Sequence, residues 1–432
     1  MSWILRGQMI RFHGTSFFEP GLVCETDGAV VIDGAAVIDT GPADPILARY
    51  PAARVHRTDG VIAPGFIDAH VHYPQIGVVA SWGSDLIDWL NRYTFPEEMR
   101  FSDPDYAQIA AVRFFDEQLR NGITCSASFC TTNPISVDAY FAEAEQRGLR
   151  AIGGKVMMSR NAPEALLVGP EKSANDTQAL IDRWHGKSRL TYAITPRFAP
   201  TSTAEELKLA GELAAQNSGC LVQSHLSEQL REIEWVKDLF PAARDYQDVY
   251  ERAGLVRPGA VFGHAIHLTE RERDVLAASG GSIAHCPTSN QFLGSGECDV
   301  SGLVRHEIRV GLATDTGGGT SYSMLDTMKS AYEVAARRGA ILGPDQLWWL
   351  ATVGGAQALR QQDKIGNIAP GLEADLVVLD AAATPILAQR TVRAESANDL
   401  LFALMILGDD RAIRATYSGG RLVSGDEPVI DA

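Results

Sequence analysis

From Ile62 to Gln361 the chain alternates short apolar runs with longer stretches whose apolar residues recur at three- and four-residue spacing. The first kind reads as buried strand and the second as amphipathic helix, so the alternation predicts parallel βαβ units. Eight apolar runs stand out: GFIDAHVH, GITCSASF, RAIGGKVMM, TYAITPRFAP, CLVQSHLSE, AVFGHAIHL, SIAHCPTSN and RVGLATDTGGG. Between them lie stretches such as FSDPDYAQIAAVRFFDEQLRNG and STAEELKLAGELAAQNSG. These begin near Ser or Asp and stop at Asn-Gly or Ser-Gly, residues that cap and end helices. Eight strand–helix repeats predict a (β/α)8 barrel, a fold that typically takes ~250 residues.

The flanks have a different texture. GLVCETDGAVVIDGAAVIDTG near the start is a string of short strands divided by Asp-Gly and Gly turns. GLEADLVVLDA and RAIRATYSGGRLVSGD repeat that texture near the end. The expected organisation is therefore α/β: residues 1–63 and 367–432 form one composite β-sandwich beside a barrel over 64–366. A doubly wound open sheet is the alternative, but it would not gather eight strand ends around one site.

Polar residues fall at the ends of the predicted strands, where barrels of this type carry their chemistry. Strand 1 ends in His70 and His72, two positions that share a face. Strand 4 ends in Arg197 and Phe198, and strand 5 in His225 with Glu228 three residues on. Strands 6, 7 and 8 end in His264, His285 and Asp315. Each has an ordinary reading alone: His225 as a hydrogen-bonded interior histidine, Asp315 as the start of a turn before three glycines. Their joint placement points to a site. His267 reads as a rim residue, and His13, His56, His185 and His306 as surface. Lys155 follows two glycines, but GGKV lacks the Ser/Thr and the glycine spacing of a phosphate loop.

Composition narrows the partners. The 432 residues carry 54 acidic against 38 basic side chains, a net charge of -16. That argues against nucleic acid and anionic membrane. Six scattered cysteines without a C-x-x-C argue against disulfides and a thiolate zinc knuckle, and fit a reducing compartment. No leader or membrane-length apolar run is read, so a cytoplasmic protein is expected.

Imidazoles with a carboxylate suit zinc or ferrous iron better than magnesium or calcium. In a catalytic site one position stays open for water, whose pKa the ion brings near ~7. Asp315 is then placed to take the water's proton. Glu228, outside the ligand set, can pass it to a ring nitrogen or a leaving group. The chemistry expected is hydrolysis at an unsaturated carbon.

PGFIDAHVH with the later strand-end histidines and aspartate resembles the amidohydrolase superfamily, and GNIAPGLEADLVVLD resembles the return strand of its β-domain. The set HVHYPQ, DWLNRYTFP, PRFAP, SHLSE, SIAHCPTSN and TDTGGGTSYSML is similar to the branch that deaminates guanine. The resemblance implies one zinc ion per subunit, with Fe2+ as the other candidate, held by His70, His72, His225 and Asp315. His264 is implied as a further ligand or as a contact of the bound water. Gln75 would hydrogen-bond the purine edge, Arg197 would donate to the oxygen at carbon 6, and Phe198 would wall the base. Glu228 would carry protons and His285 would lie beside the ring. The implied reaction is guanine plus water giving xanthine plus ammonia, in a homodimer. Strand 4 has no lysine for a bridging carbamate, so one metal is expected, and the H-x-E with P-C-x-x-C design of other deaminases is absent. A sister enzyme acting on a pterin, 8-oxoguanine or a triazine is the alternative. A barrel that serves only as a scaffold is a more distant one, since such proteins tend to lose ligands. The segment SWGSDLIDWLNRYTFP, apolar on one helical face, covers either the pocket or a partner subunit.

Overall fold

The computed structural model describes residues 2–83, 86–426 and 429–430. Two sheets organise the chain. The first holds β1 (Trp3–Phe12), β2 (Leu22–Asp33), β3 (Ala36–Pro42) and β4 (Arg54–Pro64). The barrel follows: β5 (Phe66–His72), β6 (Ile123–Phe129), β7 (Arg150–Gly154) with a short β8 (Val156–Met157), β9 (Leu190–Pro196), β10 (Leu221–Leu226), β11 (Ala260–His264), β12 (Ser282–His285) and β13 (Arg309–Leu312). The chain then returns to the first sheet as β14 (Leu376–Leu379), β15 (Ile413–Ser418) and β16 (Arg421–Gly425).

All eight apolar runs are barrel strands, paired in parallel in the order β13-β12-β11-β10-β9-β7-β6-β5. Side-chain and backbone bonds stitch the β13–β5 seam. Thr314 donates its backbone N–H and its hydroxyl to the Asp68 carboxylate, at 2.9 and 2.5 Å. Asp315 N–H donates to His70 O (3.0 Å), and His72 N–H to Thr316 O (2.9 Å). Burial raises the Asp68 carboxyl to about 7, against those Thr314 bonds. The barrel interior is filled by Ile67, Ala69, Cys125, Ala127, Ile152, Ala193, Leu221, Val261, Ala284, Cys286 and Ala313. Around it, helices close the outer layer. Asp103 caps Pro104–Arg120 by accepting from Asp105 and Tyr106 N–H, and Thr203 caps Ala204–Gln216 by accepting from Glu206 N–H.

The terminal segments join in one separate sheet, β16-β15-β14-β4-β1-β2-β3, with the short β17 (Val429–Ile430) paired to β4. It curls over its own core. Trp3 of β1 and Tyr417 of β15 are separated by β4 and β14, yet their rings lie 5.8 Å apart. Flat strands would hold them about 14 Å apart at ~4.8 Å per step. Bulges in β1 at Gly7–Met9 and Arg6–Gln8 supply the bend. The boundary with the barrel falls at Gly65, between β4 and β5. The C-terminal segment is not purely β. It includes the helices Pro385–Thr391 and Ala397–Leu407, and the second joins the barrel wall, where Trp348 Nε1 donates to Leu401 O. Among the described residues no helix is long and apolar enough to cross a membrane.

Candidate active site

The two histidines of β5 reach the barrel mouth because the strand breaks its own alternation. Ile67 and Ala69 face the interior. Strict alternation would then turn His70 and His72 away. Between Asp68 and Val71, however, β5 carries one residue more than β6 between Ser126 and Ser128. This bulge switches the parity, and both imidazoles turn inward. Arg197 and His225 need no such device, following Ala193 and Leu221 of the interior at even spacing. Asp315 follows Ala313 at even spacing too, but on left-handed backbone. His264 is swung in by left-handed backbone at His264 (φ 67°) and Ala265 (φ 47°), and Asp315 (φ 50°) and Ser227 (φ 49°) are similarly strained. Such conformations cost about 1–3 kcal/mol each and concentrate at functional sites.

The side chains converge. His70 Nε2 lies 3.2 Å and His72 Nε2 3.5 Å from Asp315 Oδ1. His72 Nε2 and His225 Nε2 are 3.2 Å apart, and His264 Nε2 is 3.7 Å from Asp315 Oδ2. The second ring nitrogens fix the tautomers. His225 Nδ1 is 2.7 Å from Arg197 O, and His264 Nδ1 is 2.8 Å from Asn290 Oδ1. Both partners are acceptors, so each Nδ1 carries the proton and each Nε2 presents a lone pair. His225 and His264 thus turn lone pairs toward the Asp315 carboxylate, and His70 Nε2 and His72 Nδ1 are buried without a hydrogen-bond partner. His70, His72, His225, His264 and Asp315 therefore fit a divalent ion. Cys286 groups with His70, His264 and Asp315. Burial pushes its thiol well up, and its Sγ donates to Ala284 O at 3.4 Å.

The imidazoles differ in their electrostatics. Burial holds His72 and His225 well below the usual imidazole range, with the other imidazoles adding to it. Burial acts to raise Asp315, but His70, His264 and His72 outweigh it and hold the carboxyl below its usual range. Burial acts to lower His264, and the Glu228 and Asp315 carboxylates outweigh it. Glu228 is tied by Ser295 Oγ, which donates to its Oε1 at 2.7 Å, while its Oε2 lies 3.5 Å from His264 Nε2. Glu232 accepts from the Glu228 and Gln229 N–H groups and fixes that turn.

These groups open into a pocket lined by His72, Gln75, Leu86, Trp89, Leu90, Arg197, Phe198, His225, Glu228, His264, Leu293, Asp315 and Gly318. Gln75, Arg197 and Phe198, expected at a substrate pocket, line this one. His285 does not. Ala284 and Cys286 face the interior, so His285 points outward and lines a separate cleft with Cys298 and Val300. Burial lowers it to about 3, and neither ring nitrogen has a partner among the described residues. His185, expected at the surface, is half-buried and accepts from Tyr192 N–H.

The apolar 81–96 segment covers the pocket: Leu86, Trp89 and Leu90 are lining residues, while Ser84 and Asp85 lie outside the described residues. It is helical over Leu86–Trp89 and Phe95–Met99, with a π turn at Leu90–Thr94 between. Two residues escaped the sequence reading. Phe129 packs against His70, His72 and His225 with ring centroids 4.7–4.9 Å apart. Glu98 binds Arg197 and Gln75. Only parity from Cys125 and Ala127 pointed to the first, and an acidic residue on an apolar helix face to the second.

The model of the amidohydrolase family matches residues 61–423. Guanine deaminase of Escherichia coli (strain K12) is 46% identical over 363 residues, 84% of this chain and 83% of that one. The chain belongs to the amidohydrolase family. Among solved amidohydrolases, E. coli guanine deaminase superposes with a TM-score of 0.96 at 42% identity, covering 98% of this chain and 99% of that one. A guanine deaminase from C. acetobutylicum, solved with guanine bound in its active site, gives 0.90 at 28% identity, covering 98% and 100%.

Amidohydrolases are generally metal-dependent, and the converging lone pairs give the expected effect of chelation. An ion that binds only the folded chain stabilises it by about 4 kcal/mol at a thousand times its dissociation constant. Stripping the metal should lower the melting temperature by several degrees, and an added divalent ion should restore it. A melting temperature indifferent to chelator, in protein shown by elemental analysis to have lost its metal, would contradict the site.

Proposed function

We propose that the chain is a zinc-dependent guanine deaminase that converts guanine and water to xanthine and ammonia. The observation that carries this reading is one cavity shared by a cation-ready cluster, Glu228, and the Arg197–Gln75 pair. His70, His72, His225 and Asp315 hold one ion per chain, with His264 as a further ligand or a contact of the reacting water. That ion, when bound, supplies a nucleophile from water at neutral pH.

The protein's own groups do the rest. Arg197 donates to the oxygen at carbon 6, and Gln75 bonds the adjoining edge of the base. Phe198 and Trp89 wall the ring and exclude bulk water. Asp315 takes one proton from the water as its oxygen adds at carbon 2. Glu228 delivers protons on the other side of that carbon. One of the water's protons ends on the ring nitrogen and the other on the departing amine, so the C–N bond breaks as ammonia leaves. Ammonia release across guanine, 8-oxoguanine, a pterin and a triazine tests the reading, with guanine expected fastest. A faster pterin, 8-oxoguanine or triazine would make the chain a sister deaminase. The same reading carries a cytoplasmic homodimer, checked by light scattering and by cell fractionation.

A further inference from the structure

The Arg197–Gln75 pair is held by a third residue that does not line the cavity. Glu98 stands on the helix Phe95–Met99 with its side chain 1% exposed. Arg197 Nη1 donates to both of its oxygens at 2.8 Å, and Gln75 Nε2 donates to Oε1 at 3.1 Å. The same helix sets Phe95 5.5 Å from the Arg197 guanidinium carbon.

A carboxylate offers acceptors only, so whatever meets it must turn a donor toward it. That fixes the Gln75 amide with its nitrogen on Glu98 and its oxygen away, where Gly317 N–H approaches at 3.4 Å. It also occupies a single nitrogen of Arg197. Nε and Nη2 have no protein acceptor among the described residues. The cavity edge therefore presents guanidinium donors beside an amide acceptor in a set order. A ring carbonyl next to a ring N–H matches that order. An exocyclic amine in place of the carbonyl would turn donors against donors. Glu98 also neutralises Arg197, whose charge would otherwise stand unpaired beside the cation site.

We propose that Glu98 is a positioning residue for substrate selectivity, which makes the Arg197–Gln75 pair a reader of the lactam edge of a purine. The inference rests on the reading of the pocket as a guanine site. Glu98→Gln keeps the shape but can turn its amide nitrogen toward Gln75 or Arg197, and so frees both to rotate.

The test compares metal-loaded wild type and Glu98→Gln on guanine and on 2,6-diaminopurine, which carries an amine where guanine has its carbonyl. For guanine, kcat/KM should fall about 100-fold, mainly through KM, since unmatched polar groups discriminate by factors of this order or more. For 2,6-diaminopurine it should change less than about threefold, so the preference shrinks by about 30-fold or more. Calorimetric binding of the two bases should move in the same ratio. A merely structural role would lower both substrates together and leave the ratio alone. Should Glu98→Gln not fold, the ratio is read on Glu98→Asp, which keeps the charge pair and withdraws the carboxylate by one methylene; a shrinkage of about tenfold is expected. A preference within about twofold of wild type in a folded variant overturns the proposal. Wild type that releases no ammonia from guanine overturns the functional reading itself, and this inference with it.

Discussion

Asp315→Asn should abolish useful turnover: ammonia release from guanine is expected to fall by about 10²- to 10⁴-fold, the range lost when a positioned proton acceptor is removed. The substitution is close to isosteric, and the Asp315 N–H bond to His70 O belongs to the backbone, so the seam between β13 and β5 survives. What goes is the negative charge that three buried imidazoles face. Asp315 is held ionised by those neighbours in spite of burial, whereas asparagine offers them a dipole. Metal content should therefore fall with the rate. Elemental analysis of the purified variant and an ammonia assay at saturating zinc separate the two losses. If added zinc restores occupancy but not turnover, Asp315 is the proton acceptor as well as a ligand. Turnover within a few-fold of wild type at full occupancy would remove it from the mechanism.

Most of this site could be read from strand ends because barrel geometry makes strand-end residues converge. Arg197, His225 and Asp315 obey simple alternation from interior alanines and leucine, and the sequence shows that spacing directly. His70, His72 and His264 reach the same centre by a bulge and by left-handed backbone. Residue type singled them out, since a one-residue slip in β5 is invisible to periodicity. His285 is the counter-example. Its residue type suggested the site, but unbroken alternation through Ala284 and Cys286 turns it toward the helices. Glu98 and Phe129 lie far in sequence from the groups they touch, so only tertiary contact reveals them. The same limit explains the terminal domain. Alternating runs announce its strands, but the curl that brings Trp3 onto Tyr417 depends on bulges. The apolar run ANDLLFALMIL is a helix because its greasy face has the barrel's Trp348 to cover.

Glu228→Gln should separate proton delivery from metal binding. Glu228 Oε2 stands 3.5 Å from His264 Nε2, and Oε1 receives the Ser295 hydroxyl at 2.7 Å. Glutamine can keep the second contact through its own oxygen, and Glu232 still receives the backbone N–H groups that shape the turn. Fold and pocket should persist, with a melting temperature close to wild type. The carboxylate's ability to take up a proton and return it is lost, because an amide does neither near neutral pH. The expected kcat is lower by about 10²- to 10⁴-fold, with KM for guanine changed far less, since the Arg197–Gln75 wall is untouched. Metal content should equal that of wild type, in contrast to Asp315→Asn. A variant that loses its metal would make Glu228 a ligand, and one that keeps both metal and rate would hand proton delivery to another group. His264 would then be the residue to examine, because it is the imidazole that the Glu228 and Asp315 carboxylates raise against burial. The contrast between the two acidic residues therefore decides which carboxylate accepts the water's proton at the ion and which carries protons to the leaving amine.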